Sequence, residues 1–176
     1  MPHAHLKLFH YTTSSCLAGI LQQGVINPGQ MVSIFGQVSH GYAVSLTSDT
    51  DPIGHGLPDG RVITPQQAQV VQSVNVGGVL RCIDATECRV EVEVDREDPR
   101  LFHAPAFYSA KVLRAVEVSA YFPVQSYVST PEVRQAERAF RDRTWKPKGP
   151  TWFFYRGALT LSKFTVQHRQ ANGQYL

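Results

Sequence analysis

The stretch LKLFHYTTSSCLAGILQQGVINP, residues 6–28, decides the fold that we predict. Apolar and polar side chains alternate at its start, which is typical of a short strand over residues 6–11. Hydroxyl side chains at 13–15 then offer N-caps, and apolar residues within 17–21 recur at helical spacing. Gly24 stands where a glycine commonly ends a helix. The stretch therefore predicts a strand, a helix and a turn, in that order.

Farther along the chain, apolar segments predict strands more often than helices. Valines alternate with charged residues within 88–94, which is the pattern of a half-buried sheet. Residues 129–143 predict a helix that opens with a hydroxyl cap, an early proline and an early acid. Residues 49–61 contain many glycines and prolines and predict a loop, and the polar tail from 167 predicts a frayed end. The predicted strands cover residues 42–47, 79–83, 88–94, 112–122, 151–155 and 159–166.

These elements predict one α+β domain over residues 1–176. The chain is long enough to bury a core, and its 43% apolar and 18% charged residues are an ordinary globular balance. Strands and helices do not alternate regularly after residue 45. This order favours a mixed, largely antiparallel sheet with a few flanking helices over a doubly wound fold.

Charge and apolar patterning limit the class of protein. The net charge of +3 permits an anionic partner without requiring one. The N-terminus shows no basic region followed by an apolar run, and no stretch approaches the ~18 apolar residues of a membrane span. We therefore expect a cytoplasmic protein without membrane contact. Cys16, Cys82 and Cys88 lack metal-like spacing and are predicted to be plain thiols.

The first candidate site is His10, Tyr11 and Thr12, which end the first predicted strand just before the predicted helix. Backbone amides at a helix N-terminus favour anions and polar ligand groups. The sequence therefore predicts a binding role here, although a histidine at a strand end is commonly a plain core or capping residue. Both interpretations stay open at this point.

Two further candidates lie on predicted strands. Ser45 and Thr47 share one face of the strand 42–47, with Leu46 on the other, and such a hydroxyl pair can hold a sugar or support a carboxylate. Glu117 lies between two valines in a segment with few charges, which suggests a polar group that is not simply solvated. An ordinary strand and an edge-strand glutamate are the alternatives.

A fourth candidate combines basic and aromatic residues. Arg134, Arg138 and Arg141 are three or four residues apart, on one face of the predicted helix. Aromatic residues follow at 145 and 152–154, and single-stranded nucleic acids and nucleotides favour such a combination. Acidic residues on the same helix favour a solvated amphipathic helix instead.

Metal sites and several common catalytic motifs are not predicted. The fragments Asp49-x-Asp51 and His3-x-His5 lack the additional ligands that a stable metal site needs. The sequence contains no G-x-S-x-G, phosphate-binding or dinucleotide-binding motif. His55 is flanked by glycines, which indicates a flexible loop, and a role in a lid stays open.

Taken together, residues 6–48 resemble the opening of the ADP-ribosyltransferase superfamily. The likeness rests on the strand with His10-Tyr11-Thr12, the helix followed by Gly24-Val-Ile-x-Pro28, and Ala43-Val-Ser-Leu-Thr-Ser48. It is closest to small bacterial toxin-type members, including those that modify DNA, and to the related RNA 2′-phosphotransferases. The resemblance implies the split sheet of that superfamily and extends more loosely over residues 88–128.

The resemblance also implies a site and a reaction. In that superfamily a histidine or arginine on the first strand holds NAD, a hydroxyl or aromatic strand forms a second wall, and a later glutamate completes the site. The likeness thus implies NAD as substrate, with His10 orienting it and Glu117 stabilising the oxocarbenium-like state as the nicotinamide–ribose bond breaks. Both are implied catalytic residues. The implied NAD-binding residues are His10, Tyr11, Thr12, Tyr42, Ser45, Thr47 and Ser48.

Three hypotheses about function follow. The first is a toxin-type enzyme that transfers ADP-ribose from NAD to a nucleic-acid or protein acceptor, with loop 49–61 excluding water and basic residues after 134 attracting phosphates. The second is an inactive or re-purposed nucleotide- or protein-binding module of the same fold. The third is an RNA- or nucleotide-processing domain, such as a 2′-phosphotransferase-like one.

Overall fold

The computed structural model describes residues 4–30, 42–69, 71–120 and 146–176, together with residues 131, 135 and 138. Within these ranges the helices are α1 (Ser14–Gln23), α2 (Ala104–Phe107) and α3 (Ala110–Ala120). The strands are β1 (His5–Thr12), β2 (Val25–Ile26), β3 (Gly29–Gln30), β4 (Tyr42–Thr47), β5 (Ser73–Val76), β6 (Val79–Cys82), β7 (Cys88–Asp95), β8 (Leu101–His103), β9 (Trp152–Arg156), β10 (Leu159–Thr160) and β11 (Phe164–His168).

One sheet organises the described part of the chain. Its strands follow the order β11-β7-β1-β4-β9-β8, and β3 pairs with β4 outside this path. Two small ribbons, β2 with β10 and β5 with β6, accompany it. All of these pairings are antiparallel. The predicted α+β fold with a largely antiparallel sheet is therefore confirmed.

The opening strand–helix–turn unit forms as its sequence predicts. The Thr13 hydroxyl oxygen accepts a hydrogen bond from the Cys16 amide, which makes Thr13 the N-cap of α1. Gly24 ends the helix with a φ of 68° and donates its N–H to the Ile20 carbonyl. A left-handed residue at this position is favourable mainly for glycine, so Gly24 sets the end of α1.

The core lies between α1 and one face of the sheet. Leu17 and Ile20 of α1 pack in one buried cluster with Leu8, Val44 and Val90 from the three central strands. Burial of each such side chain contributes roughly 1.5–3 kcal/mol, which is more than the intrinsic helix propensity of a ten-residue segment supplies. The alternating valines of β7 are buried as the pattern predicts.

Strands β1 and β4, which are neighbours in the middle of the sheet, separate from each other along their length. β1 pairs with β7 over all eight of its residues, whereas β1 and β4 are in register at a single pair, Phe9 with Thr47. At its other end β4 pairs with β3 through Tyr42 and Ala43. The sheet therefore opens between β1 and β4 just beyond Phe9, beside His10.

Three sequence predictions are wrong. The strand predicted over residues 159–166 is divided into β10, which pairs with β2, and β11, which pairs with β7. Residues 112–122 were expected to form a strand, but 110–120 form helix α3. The reason is composition: alanine, leucine, lysine, arginine and glutamate favour a helix, and together they outweigh three valines. The tail after 167 is folded rather than frayed, because Arg169 pairs with Tyr175 and the backbones of His168 and Leu176 exchange hydrogen bonds. The predicted helix 129–143 lies largely outside the described residues; within it, 131, 135 and 138 are helical.

Substitution of two glycines by alanine should change the stability of α1 in opposite directions. A Cβ atom at Gly24 would meet no neighbour within 4 Å, so Gly24→Ala should cost about 1 kcal/mol through its left-handed backbone alone. Gly19 lies inside α1 and also faces open space, so Gly19→Ala should stabilise by about 0.5–1 kcal/mol. Urea unfolding of both variants measures the two changes. If both substitutions changed the free energy of unfolding in the same direction, the assignment of Gly24 as the C-cap of α1 would be contradicted.

Candidate functional site

His10 occupies the opening between β1 and β4. Its Nδ1 lies 3.0 Å from the Ser45 carbonyl oxygen, and since a carbonyl only accepts, Nδ1 carries the proton. In the neutral ring Nε2 is then an acceptor, and it has no hydrogen-bond partner in the described part of the chain. Burial lowers the pKa of His10, partly offset by the bond to Ser45, so the ring is neutral at pH 7. The arrangement presents a fixed acceptor in the opening.

The N-terminus of α1, predicted to attract an anion, already holds anionic and polar groups of the chain itself. The Ser14 amide donates to Oε2 of Glu87 at 2.7 Å, and the Cys16 amide donates to Oγ1 of Thr13 at 3.1 Å. A carboxylate at a helix N-terminus is favoured by the partial positive charge there. Glu87 therefore occupies the position at which an anion or a polar ligand group is predicted to bind.

The predicted NAD-binding residues are divided between the two sides of the sheet. Side chains alternate along a strand, so in β1 His10 and Thr12 lie on the α1 side and Tyr11 on the other. The same alternation in β4 places Tyr42 on the α1 side, and Ser45 and Thr47 on the opposite face. Ser48 follows the strand and is exposed. The seven residues therefore do not line one surface.

Tyr11 and Thr47 fasten the loop that follows β4. The Tyr11 hydroxyl donates to the Thr50 carbonyl at 2.7 Å, and burial raises the pKa of Tyr11 to about 12. The Thr47 hydroxyl donates to Oγ1 of Thr151 and accepts the Asp49 amide, both at 3.0 Å. Because these hydroxyls are satisfied within the protein, their geometry indicates a structural role.

Glu117 lies on helix α3, which corrects its predicted place on a strand. Its residue is only 5% exposed, and Oε1 accepts the Gly149 amide at 2.7 Å. Burial raises the pKa of Glu117, opposed by this bond and by Arg114. A Cβ atom at residue 149 would lie 2.5 Å from Oε1, so the glycine permits the close approach. Glu117 thus holds the 3₁₀ turn at Gly149–Thr151. The sequence placed Glu117 on a strand because it predicted a strand where helix α3 forms.

A group of polar side chains that the sequence did not assemble lies beside this turn, and its cation Lys148 is buried while Asp51 is exposed. We call Asp49, Asp51, His55, Lys148 and Trp152 the loop cluster. Lys148, 8% exposed, donates through Nζ to Oδ2 of Asp49 at 2.5 Å and to Oδ2 of Asp51 at 3.2 Å. Burial lowers the pKa of Lys148, but the two carboxylates outweigh it and raise the pKa overall. The Asp49-x-Asp51 fragment therefore binds an ammonium group of the chain.

His55 completes the loop cluster. The Trp152 indole Nε1–H donates to Nδ1 of His55 at 2.7 Å, so the proton of the neutral ring is on Nε2. Nε2 is buried without a hydrogen-bond partner and lies 3.7 Å from Oδ2 of Asp49. Burial, together with the charge of Lys148, lowers the pKa of His55 to about 4. In the sequence the two acids and His55 were considered for other roles, and nothing there linked them to Lys148, which lies 99 residues from Asp49.

The predicted basic and aromatic group is also divided. Trp152 is buried in the loop cluster, and Phe153 stacks on His103 with ring centroids 4.7 Å apart. Phe154 lies on the face opposite Phe153, which alternation assigns also to Trp152, and packs against Phe107 and Tyr108. Residues 134, 141 and 143 lie outside the described residues. Alternation along β9 thus separates aromatic residues that are adjacent in sequence.

A metal site, a membrane span or a similar known protein would each limit the functions open to this site. Among the described residues, no set of three or more His, Cys, Asp or Glu side chains is arranged to share a metal ion. None of the helices in the described ranges has the length and apolar character that a membrane crossing requires. No family model, no curated protein and no solved structure matches the chain.

Removal of the buried ammonium should destabilise the protein strongly. Lys148→Met leaves Asp49 and Asp51 facing each other without their cation, so we expect a loss of about 2–3 kcal/mol in the free energy of unfolding. Lys163→Met is the matched control. Lys163 makes an exposed ion pair with Glu93 at 3.6 Å, and such a pair contributes about 0–1 kcal/mol. Urea unfolding at pH 7 measures both variants. Similar losses in the two would show that burial of Lys148 does not matter.

Proposed function

We propose that the chain is an ADP-ribosyltransferase-like enzyme that binds NAD at His10 and transfers ADP-ribose to a nucleic-acid or protein acceptor. The observation that carries the proposal is the neutral imidazole of His10, held in the opening between β1 and β4 with no partner for Nε2 among the described residues. The resemblance of residues 6–48 to the superfamily supports the reaction class. A toxin-type member would carry out this reaction in the cytoplasm.

The geometry at His10 suits the recognition of a ribose. A ribose hydroxyl can donate to Nε2, because the bond from Nδ1–H to the Ser45 carbonyl leaves the other nitrogen unprotonated. The same bond fixes the ring orientation, so little rotational freedom is lost when a ligand binds. His10 therefore supplies orientation, which is the part of catalysis that a fixed hydrogen bond can contribute.

A second candidate function is a nucleotide-binding module of the same fold without transferase activity. The position of Glu117 favours it, since the carboxylate that the resemblance assigned to catalysis accepts a backbone amide from a turn. This candidate shares NAD binding at His10 with the first and differs in the absence of bond cleavage. Measurements of binding and of nicotinamide release therefore distinguish the two.

His10→Asn should weaken NAD binding while it preserves the fold. The asparagine amide nitrogen can replace Nδ1 as donor to the Ser45 carbonyl, but the side chain has no group at the position of Nε2. Loss of one hydrogen bond should weaken binding about tenfold in calorimetry. His5→Asn, an exposed change on the same strand, should leave the affinity unchanged. Equal affinity of the His10 variant and the unmodified protein would remove His10 from the site.

Glu117→Gln separates a structural from a catalytic role of this residue. The glutamine carbonyl can still accept the Gly149 amide, so the variant should unfold within about 1 kcal/mol of the unmodified protein. If the transferase proposal holds with Glu117 as a structural residue, nicotinamide release from NAD should stay within about twofold. A folded variant with release reduced a hundredfold or more would restore the catalytic assignment. NAD binding without any nicotinamide release by the unmodified protein would favour the binding module.

A further inference from the structure

Two hydrogen-bonded attachments hold the segment 49–56 over the face of the sheet opposite α1. The Thr50 carbonyl accepts the Tyr11 hydroxyl at 2.7 Å and Nη1 of Arg89 at 3.0 Å. At the other end, the Gly56 amide donates to the Ala120 carbonyl at 2.9 Å. Between these ends the segment is attached through the loop cluster. Release of the segment would free the Tyr11 hydroxyl, next in sequence to His10.

The contact of His55 with Trp152 tolerates only the neutral imidazole. The indole Nε1–H can only donate, and it lies 2.7 Å from Nδ1 of His55. If Nδ1 gained a proton, two N–H groups would face each other without an acceptor. The side chain of His55 is 5% exposed, so water could not take over either donor without movement of the segment.

The charges that face His55 come from each element packed against it. Asp49 and Asp51 belong to its own segment, and Lys148 comes from the stretch before the 3₁₀ turn. Tyr11 of β1 stacks on the ring with centroids 6.4 Å apart, and its raised pKa keeps it neutral. On α3 Glu117 is bonded to Gly149. Burial of the ring is the largest effect and favours the neutral form, and the Lys148 ammonium adds to it, whereas the carboxylates of Asp49 and Asp51 favour an imidazolium but do not outweigh burial.

We propose that His55 and Trp152 form an acid-released latch, in which the segment 49–56 is fastened to the sheet while His55 is neutral and detaches when His55 is protonated. The latch does not depend on the proposed reaction. It gives His55 a role that is separate from NAD binding and from catalysis. Gly54 and Gly56, with φ values of 84° and 75°, flank the histidine.

The direction of the pH effect follows from proton linkage. In the fastened segment the pKa of His55 is about 4, whereas a solvated histidine has a pKa near 6.5. The detached state therefore binds a proton more readily. Fastening is fully favoured above pH 6.5 and weakens as the pH falls from 6.5 towards 4. The ratio of detached to fastened segment should rise about a hundredfold between pH 7.5 and pH 4.0.

Hydrogen exchange of the full chain, followed by mass spectrometry at pH 7.5 and pH 4.0, tests the latch. The matched variant is His55→Asn, whose carbonyl oxygen can accept the Trp152 N–H but does not titrate. The two proteins are compared at the same pH, so that intrinsic exchange rates cancel. The measured quantity is the exchange rate of the 49–56 amides in the unmodified protein divided by that in the variant. This ratio should be about a hundredfold larger at pH 4.0 than at pH 7.5.

Amides of β1 and β7 serve as the internal control and should remain protected in both proteins. The proposal is overturned if 49–56 responds to acid equally in both proteins, or if β1 and β7 lose protection together with it, which would indicate global unfolding. If His55→Asn does not fold, Trp152→Phe carries the test. Without the opposing indole N–H, its acid-induced increase in exchange should be clearly smaller than that of the unmodified protein, and an equal increase would refute the latch.

Discussion

The structure depends on the pairing of β1, which is complete on one side and nearly absent on the other. Eight residues of β1 pair with β7, but Phe9 and Thr47 form the single register pair with β4. Backbone groups that leave a ladder need other partners when they are buried. At the opening, the His10 side chain bonds to the Ser45 carbonyl. The same imbalance that exposes a gap in the sheet therefore fixes the ring that we assign to ligand recognition.

The opposite face of the sheet serves a different purpose. There, the chain uses ionised and polar groups to attach loops: Lys148 joins two aspartates, and Arg89 lies between the rings of Phe9 and Tyr175 with its guanidinium 4.7 and 4.4 Å from their centroids. An ion pair with a buried member, such as Lys148, adds little net stability compared with apolar packing, but removal of one partner leaves the other charge uncompensated. Tyr11 and Thr47 belong to this attachment surface. Two of the residues that the sequence placed in an NAD pocket are thus structural contacts.

The sequence predicts the elements whose signals are local. Thr13, Gly24 and the alternating valines of β7 each act over a few residues, and the structure bears out all three. The helix at Glu117 was misread because its valines suggest a strand, while the helix-forming residues between them decide the outcome. The loop cluster was out of reach for a different reason. Asp49 and Lys148 become neighbours because β4 pairs with β9, and no pattern in either segment predicts that pairing.

The position of β1 has a consequence for how the chain folds as it is made. β1 leaves the ribosome before the strands it pairs with, since its full-length partner β7 begins only at Cys88, and β11 beyond it ends at His168. Contacts so distant in sequence require a large loop to close before they contribute. An apolar strand that waits for its partner during synthesis can pair with other chains. The early local helix α1, which covers Leu8 from one side, is then the element available to shield β1 until the rest of the sheet arrives.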